Sequence, residues 1–410
     1  MTGSSVVLVE FSPSGGLFQF AVQLGEALAA RGHRVELLTG PRPELATTQP
    51  GFTISPVLPT WHPAAGAADS RTRRRLRRGV RAVRYHLAWL VVIGLVLRRS
   101  PDVVQVTSGR FPVDGLVPWL LARLRRRPVL VTVAHAPLPW NEQQPTGKLY
   151  KEDPLLERCL GVGYRNTDAV IVLGERSAAD LASRWPDIRH VHVLPHGNEQ
   201  VFLREEPTGA ATTEPLVLFF GTLQAYKGLD LLLDAFGLVR AERPDARLLI
   251  AGAPSGDTDL ADLRRRSAAV GGVELRAGYV PLGDVAALFA GARTVVAPYR
   301  SANASGVVAL AHTCARPVVA TAVGDLPAVV QHEQNGLLVP PDDAPALAAA
   351  LVRLLADPDE ADRLGQDGRR HAVGSASWEV VAERVEGVFR ERLAERRARA
   401  VEPTAEDPRS

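Results

Sequence analysis

The chain is poor in cysteine and lysine, and its longest purely apolar stretch is too short to cross a membrane. Only two cysteines, Cys159 and Cys314, occur among 410 residues, and their wide separation matches neither a disulfide framework nor a metal-binding motif. Such sparse cysteine is typical of a reducing compartment. The amino terminus enters an apolar stretch with no basic leader before it, so we expect no signal peptide and a cytoplasmic protein.

Lysine accounts for only three of the 48 basic residues. One of them, Lys227, lies in the segment VLFFGTLQAYKGLDLLL. There an apolar, strand-like run stops at Gly221, a short polar loop follows, and a helical pattern begins after Gly228. Backbone N–H groups at a helix start, with an ammonium beside them, favour a bound phosphate or diphosphate. The sequence therefore predicts a phosphate site at this loop.

Acidic residues are scarce in the first half of the chain. Residues 1–195 contain 25 basic and 15 acidic residues, whereas the remainder contains 23 and 30. Eight arginines lie between Arg71 and Arg84, and four more between Arg123 and Arg127. No aromatic platform or recognition motif for nucleic acid accompanies them, so we expect no nucleic-acid partner. An anionic membrane surface is the possible partner of Arg71–Arg84.

The segment nearest to a membrane span is LAWLVVIGLVL, from Leu87 to Leu97. It has 11 residues, whereas a spanning helix needs about 20. The pattern predicts a buried helix packed on the sheet of the first half. The alternative is a basic amphipathic helix that lies on a bilayer.

Short apolar runs alternate with helical patterns through both halves, which predicts two parallel sheets with helices on their faces. We expect an N-terminal Rossmann-like domain over residues 1–195, a C-terminal Rossmann-like domain over 196–375, a final helix over 376–397 and a disordered tail over 398–410. The cleft between the domains is the expected ligand site. The predicted strands are Val6–Phe11, Val35–Leu38, Val103–Val106, Val129–Val133, Ala169–Leu173, His192–Leu194, Leu216–Phe220, Arg247–Ala251, Val273–Ala277, Thr294–Ala297 and Pro317–Ala320.

Three turns of the first half carry residues suited to a ligand. The Gly15-Gly16 pair precedes a helical pattern and would let a ligand approach the positive helix end, although an ordinary tight turn fits as well. His135 follows a buried strand, where a cleft residue would lie, although a lone histidine is often structural. His196 and Gly197 follow a strand at the domain junction, where a hinge turn is the alternative.

The second half adds two candidates. Ser305 and Gly306 open a helix after a strand, which predicts a second anion site. Asp257 and Asp259 form an acid–x–acid pair that could hold Mg²⁺ beside a diphosphate. Because Asp259 directly precedes a helical pattern, however, we interpret it as an N-cap and not as a metal ligand.

Several of these segments resemble motifs of the family 4 glycosyltransferases, which have the GT-B fold. They are SGGLFQFAVQLGEALAARGHRVELLTG, DAVIVLGERSAADL, HVLPHGNEQVF, FFGTLQAYKGLDLLLDAF and PVVATAVGDLPAVVQHEQNGLLVPPDD, and PYRSANASGVVALA resembles a subgroup with a Ser-Gly pair in this loop. The resemblance covers nearly the whole chain. It implies two Rossmann-like domains facing a central cleft, with the C-terminal helix crossing back to the first domain.

The resemblance also implies a function and a set of roles. The activity would be transfer of a sugar, with retained configuration and without metal or cofactor, from a nucleotide-diphosphate sugar to a glycan, glycolipid or small acceptor, as in polysaccharide biosynthesis. His135 would lie near the donor sugar, and Lys227 would neutralise the leaving diphosphate. The other implied donor-binding residues are Gly15, Gly16, His196, Gly197, Gly221, Thr222, Arg300, Ser305, Gly306 and Val307.

The chain departs from the family pattern at four positions. Thr222 stands where arginine is frequent, and Ala302 and Leu310 align with a frequent glutamate pair. Ala328 replaces a further glutamate. Arg300 is a candidate to supply the missing positive charge. These departures keep two alternatives open: a non-catalytic nucleotide-sugar-binding or scaffold subunit of GT-B fold, and an epimerase or phosphorylase of similar fold.

Overall fold

Each half of the chain is built around one parallel β-sheet. The computed structural model describes residues 3–62, 71–107, 111–124, 126–138, 154–203 and 205–401. Lys148, Lys151, Arg125 and residues 402–410 of the expected tail lie outside the described residues, and so do the side chains of residues 71–78.

The first sheet has seven strands in the order β3-β2-β1-β4-β5-β6-β7. Every neighbouring pair is parallel. The strands are β1 Ser5–Val9, β2 Arg34–Leu38, β3 Phe52–Ser55, β4 Val103–Thr107, β5 Val129–Ala134, β6 Ala169–Val172 and β7 Val191–Val193. The helices between them are α1 Gly16–Ala30, α2 Arg71–Arg99, α3 Pro112–Leu121, α4 Pro154–Asn166 and α5 Glu175–Arg184.

The second sheet has six parallel strands in the order β10-β9-β8-β11-β12-β13. Its strands are β8 Leu216–Phe220, β9 Arg247–Gly252, β10 Val273–Ala277, β11 Thr294–Ala297, β12 Val318–Thr321 and β13 Gly336–Val339. Its helices are α6 Leu229–Glu242, α7 Leu260–Val270, α8 Leu282–Gly291, α9 Gly306–Thr313, α10 Leu326–Val329, α11 Ala344–Ala356 and α12 Pro358–Val373. The predicted pair of parallel α/β sheets is therefore confirmed.

Central strands are mostly apolar and are buried because helices cover both faces of each sheet. All six residues of β5 are buried, and so are all four of β6, β11 and β12. Two strands have no counterpart in the sequence prediction, namely β3 and β13. Both lie at sheet edges, where short segments such as FTIS and GLLV give too weak a pattern to be recognised.

The C-terminal helix, α13 Trp378–Val401, returns to the first half of the molecule. It packs along α1, and its side chains Val381, Ala382, Val385, Val388 and Phe389 belong to the buried core around β1 and β5. The predicted crossing of this helix to the first domain is confirmed.

Helix α2 is buried on one face and exposed on the other. Tyr85, Ala88, Trp89, Val92 and Val96 pack on the first sheet, as predicted for a core helix. The opposite face is apolar as well and lies in solvent. Within the described residues, the segment Gly79–Arg99 is the one helix long and apolar enough to cross a membrane, with 28% of its 18-residue window buried. The prediction from Leu87–Leu97 alone missed this length because histidine and arginine interrupt the apolar run.

Candidate active site

The carboxyl ends of the strands in the two sheets carry most of the predicted site residues. The Gly15 turn follows β1, and His135 follows β5. In the second half Gly221 follows β8, and the loop to Ser305 follows β11. Because parallel strands end at one edge of a sheet, ligands of such folds bind at these edges.

Lys227 is a buried cation without an anionic partner among the described residues. It closes a short 3-10 turn, Ala225–Lys227, and is 7% exposed. Desolvation lowers its pKa to about 8. A β-carbon added to Gly221 would lie 2.9 Å from the Lys227 Nζ atom and 3.4 Å from Val307. The ammonium and the first turn of α9 therefore converge on one glycine, where the bare backbone leaves room for both.

The first turn of α9 is the predicted second anion site. Ser305 is its N-cap, with its hydroxyl oxygen accepting from the Val308 N–H at 3.4 Å. Gly306 begins the helix and lies against two cleft side chains: a β-carbon there would be 3.5 Å from both the Glu199 Oε1 and the His196 Cε1 atoms. The structure thus brings Lys227, Gly221, Ser305, Gly306, Val307 and His196 into one neighbourhood.

Glu199 is a buried carboxyl group that the motif analysis did not single out. It is 3% exposed, and desolvation raises its pKa to about 8. Its Oε1 lies 3.9 Å from His196 Nδ1, and its Oε2 accepts from the Gln23 amide at 3.2 Å. Burial also lowers the pKa of His196. Near pH 7 this pair is therefore neutral on both sides.

His135 reaches the same cluster through aromatic contacts. The Phe20 ring lies 4.8 Å from His135 and 5.7 Å from His196, between centroids. The two imidazoles are 6.4 Å apart. Phe20 comes from α1 and Gln23 from the next turn of the same helix, so α1 presents one face to both histidines. The first half thereby contributes an apolar wall beside the polar groups of the second half.

The Gly15-Gly16 turn is open to solvent but partly occupied by a carboxylate. A β-carbon at either glycine would meet nothing within 4 Å. The Gly15 N–H donates to Glu44 at 3.1 Å, and the Tyr279 hydroxyl, from the second half, donates to the same carboxylate. Glu44 therefore holds the position at the start of α1 that the sequence prediction assigned to a donor phosphate.

The Arg300 side chain is held by two carboxylates. The Arg300 guanidinium makes two hydrogen bonds to Asp230, at 2.7 and 2.8 Å, and one to Asp342 at 2.7 Å. These carboxylates raise its pKa and neutralise its charge. Thr222 is exposed. The Arg300 guanidinium thus links α6 to the loop before α11, and among the described residues Lys227 is the cation that adjoins Gly221 and the start of α9.

Gly197 has a conformational reason to be glycine. Its φ is 90°, and a β-carbon would lie 2.6 Å from the ring of Trp378. The Trp378 indole N–H donates to the Asn198 carbonyl at 2.8 Å. The turn that contains His196 is therefore packed against Trp378, the first residue of α13.

The positions that depart from the family pattern have structural explanations of different kinds. Leu310 is 2% exposed and belongs to the core of the second half. Ala328 is exposed in α10, and Ala302 is partly buried against the same core. Leu310 is the one of these three that is fully buried, with its apolar side chain facing inward from α9.

Asp257 and Asp259 serve the local backbone. Asp259 caps α7 and accepts from the Asp262 N–H at 3.0 Å, which confirms the N-cap prediction. Asp257 accepts from the Ala225 N–H at 3.2 Å. Across the described ranges, no group of three or more histidine, cysteine or acidic side chains could hold a metal ion.

Comparison with known proteins agrees with this architecture. Residues 14–199 match the family described as Glycosyltransferase Family 4, and residues 214–357 match Glycosyl transferases group 1. A D-inositol 3-phosphate glycosyltransferase of Thermobispora bispora is 30% identical over 93% of this chain and 90% of its own. Another, of Jonesia denitrificans, is 27% identical over 88% and 87%.

Two solved structures show the same fold. Sucrose-phosphate synthase of Thermosynechococcus elongatus superposes with a TM-score of 0.74 at 25% identity, covering 96% of this chain and all of that one. Anabaena HepE in complex with UDP and glucose gives 0.68 at 16% identity, covering 94% and 99%. Two parallel sheets with helices on their faces, shared with these structures, define the GT-B fold. The chain belongs to glycosyltransferase family 4, group 1.

Proposed function

We propose that the enzyme transfers a sugar from a nucleotide-diphosphate sugar to a glycan, glycolipid or small-molecule acceptor. One observation carries the proposal: the buried Lys227 ammonium lies beside Gly221 and the start of α9 with no anionic partner among the described residues. A desolvated cation is costly unless an anion joins it. A diphosphate would supply that anion, and the free N–H groups of α9 would bind it as well.

The chemistry of sugar transfer fits this placement. As the bond to the donor sugar breaks, positive charge develops on the sugar and negative charge on the leaving diphosphate. Lys227 and the α9 N–H groups would stabilise that negative charge where it grows. His135 would lie on one side of the donor sugar, and Gly306 and His196 would lie on the other side. With the charge neutralised by protein groups, we propose a metal-independent and retaining reaction, as the family resemblance implies.

Two likenesses support the proposed classes of substrate. The structurally similar HepE has been solved with UDP and with UDP-glucose. The curated relatives act on D-inositol 3-phosphate by name. We further propose a cytoplasmic enzyme that works in glycan or polysaccharide synthesis at the inner face of an anionic membrane. The excess of 25 basic over 15 acidic residues in residues 1–195 supports the last point.

The test is nucleotide release from UDP-, GDP- and dTDP-sugars, with and without extracts that contain acceptor. We expect release with one donor, and a loss of roughly 100-fold or more in Lys227→Ala. The pKa of about 8 in the free enzyme also predicts a pH effect. Only the protonated amine attracts a diphosphate, so donor affinity falls as pH rises through 8.

Lys227→Arg is the matched control, because arginine keeps its charge and should lose this pH dependence. Unchanged release by Lys227→Ala would contradict the assignment of the diphosphate site. Donor binding without release across the whole panel would instead favour a nucleotide-sugar-binding subunit.

A further inference from the structure

The helices α2 and α3 expose an apolar surface that nothing in the described structure covers. On α2 the exposed residues recur at intervals of three or four, opposite the face that packs on the sheet, and Gly94 fills the one gap in the series. We call this surface the α2–α3 face, and it consists of Val80, Val83, Leu87, Leu90 and Leu97 of α2 and of Leu116, Trp119 and Leu120 of α3.

The apolar exposure is concentrated here. Eight of the fourteen large hydrophobic side chains that are exposed in the described structure belong to this face. Leu90 is 63% exposed and Val83 61%. The α2 row from Val80 to Leu97 is about 26 Å long. Single exposed apolar residues are ordinary, but a continuous row of this length marks a surface that binds something apolar.

The charges around the face identify its partner. Helix α2 contains ten arginines and no acidic residue, and the one acidic residue of α3, Asp114, is buried. Arg98 and Arg99 end α2, and the Arg123 guanidinium lies 4.0 Å from the Trp119 ring centroid. Apolar residues between arginines, with a tryptophan at the margin, suit the interface of an anionic bilayer.

A second copy of the chain fits the face less well. Two-fold packing of α2 on α2 would bring arginine-containing helix ends together, whether the two helices run antiparallel or parallel. Helix α2 has no carboxylate to offset that repulsion, and in the described part of the chain Glu36 of β2 pairs with Arg99 alone. Lipid phosphates, in contrast, can pair with both arginine clusters at once.

The helix would lie in the membrane plane and not cross it. The face of α2 opposite the exposed row holds Tyr85 and Trp89, which donate hydrogen bonds to the buried Asp114 at 2.8 and 2.6 Å. A spanning α2 would have to leave these partners, and the Asp114 carboxylate would lose both hydrogen bonds.

An aromatic pocket lies on the sheet side of α2, near the start of α3. This cavity of about 320 Å³ lies at the carboxyl ends of β1 and β4, next to Leu17 of the Gly15-Gly16 turn. Its lining includes Arg81 and Tyr85 of α2 and Phe111 at the start of α3. Phe11, Trp61 and Glu10 line it as well, and the other lining residues are Ser12, Leu17, Thr60 and Thr107. Aromatic faces beside a carboxylate are suited to a polyol head group.

We infer that the α2–α3 face inserts into the interface of an anionic membrane, and that the acceptor is a lipid-borne polyol or sugar whose head enters this pocket. The second clause rests on the proposed transferase activity, whereas the first deepens the proposed membrane location and does not depend on that activity. Bound in this way, the enzyme receives the acceptor head directly from the bilayer, while the soluble donor enters from the opposite, C-terminal half.

Vesicle flotation tests the first clause. The full chain is mixed with vesicles of neutral lipid, or of neutral lipid with phosphatidylglycerol. We expect binding to the anionic vesicles and a loss of roughly tenfold or more in the double variant Leu87→Asn/Leu90→Asn. Leu238→Asn, at a 48% exposed leucine of α6, is the matched control and should bind like the wild type. Circular dichroism checks that all variants are folded.

Equal vesicle binding by the double variant and the wild type overturns the inference. The inference is also overturned if the wild type does not bind vesicles but forms a dimer that the double variant cannot form. The α2–α3 face would then be an interface with a second copy of the chain. Nucleotide release separates the two proposals. If release is as fast with a water-soluble acceptor as with a vesicle-borne one, the lipid-borne acceptor is refuted while the transferase stands. No release with any donor refutes the proposed function, and the flotation result remains valid.

Discussion

Lys227 and Glu199 are two buried side chains of opposite type whose pKa values meet near 8. Burial favours the neutral form of each, so it lowers the pKa of the lysine and raises that of the glutamate. Near pH 7 the free site therefore holds an ammonium and a protonated carboxyl group. Both are donors, and neither repels a phosphate.

Glu199→Gln should change how stability depends on pH. In the wild type the folded-state pKa of about 8 lies above the ordinary glutamate value of 4.5. The carboxyl group therefore destabilises the fold least below about pH 4.5, and stability falls as pH rises from there to 8. Glutamine removes that loss. We expect the variant to match the wild type near pH 5 and to exceed it near pH 8.5 by on the order of a few kcal/mol. Urea unfolding at the two pH values measures the free energy of unfolding of both proteins. Equal free energies for the variant and the wild type at pH 8.5 would contradict the prediction.

Residue identity alone could not predict the partners of several site residues. Lys227 and the Ser305-Gly306 pair were recognisable because glycine, strand and helix patterns surround them. Glu44 lies 29 residues from the Gly15 N–H that it accepts from, and the carboxylates that hold Arg300 are 70 and 42 residues away from it. Such pairings depend on tertiary structure, so no local pattern reveals them.

At the scale of elements, a helix of one half is capped by a residue of the other. Asp325 precedes α10, yet its carboxylate accepts from the Arg176 N–H at 2.8 Å and the Ser177 hydroxyl at 2.7 Å, at the start of α5. Gly174 makes room, since a β-carbon there would lie 2.1 Å from the Asp325 Cγ atom. This cap joins the two halves across the cleft.

Asp325→Ala should loosen the two halves relative to each other. Loss of a cap costs about 1 kcal/mol, and here that loss falls on the contact between domains. We expect a larger radius of gyration in small-angle X-ray scattering without ligand, and the same change in Gly174→Leu. Asp343→Ala is the matched control, because Asp343 caps α11 within one half. An unchanged radius in both test variants would show that other contacts hold the halves together.

Element prediction succeeded where a segment is buried on both sides and weakened at the margins. The central strands can be predicted from their nearly continuous apolar runs, whereas β3 and β13 have only four residues each. Helix α2 shows a different difficulty. Its row of buried residues and its row of exposed residues are both apolar, and periodicity cannot tell which row faces the sheet.

At the scale of the whole molecule, α13 ties the end of the chain to its beginning. Phe389 is 1% exposed in the core of the first half, so Phe389→Ala should cost about 3–5 kcal/mol. Tryptophan fluorescence reports this selectively, because all six tryptophans lie before residue 196 or at the start of α13. We expect the fluorescence midpoint in urea to fall for Phe389→Ala and to stay for Leu238→Ala, an exposed control. A shift of equal size in both would exclude a specific role of α13.

The return of α13 also sets the order in which the protein can mature on the ribosome. The second half holds its whole core between Ala210 and Leu364, so it can close before synthesis ends. The first half is made earlier but needs Val381, Val385 and Phe389 to complete its core. Its arginine-rich α2 is therefore synthesised long before the core of its own domain can be completed. The apolar row of α2 is exposed to the surroundings of the nascent chain until α13 has been made and has packed.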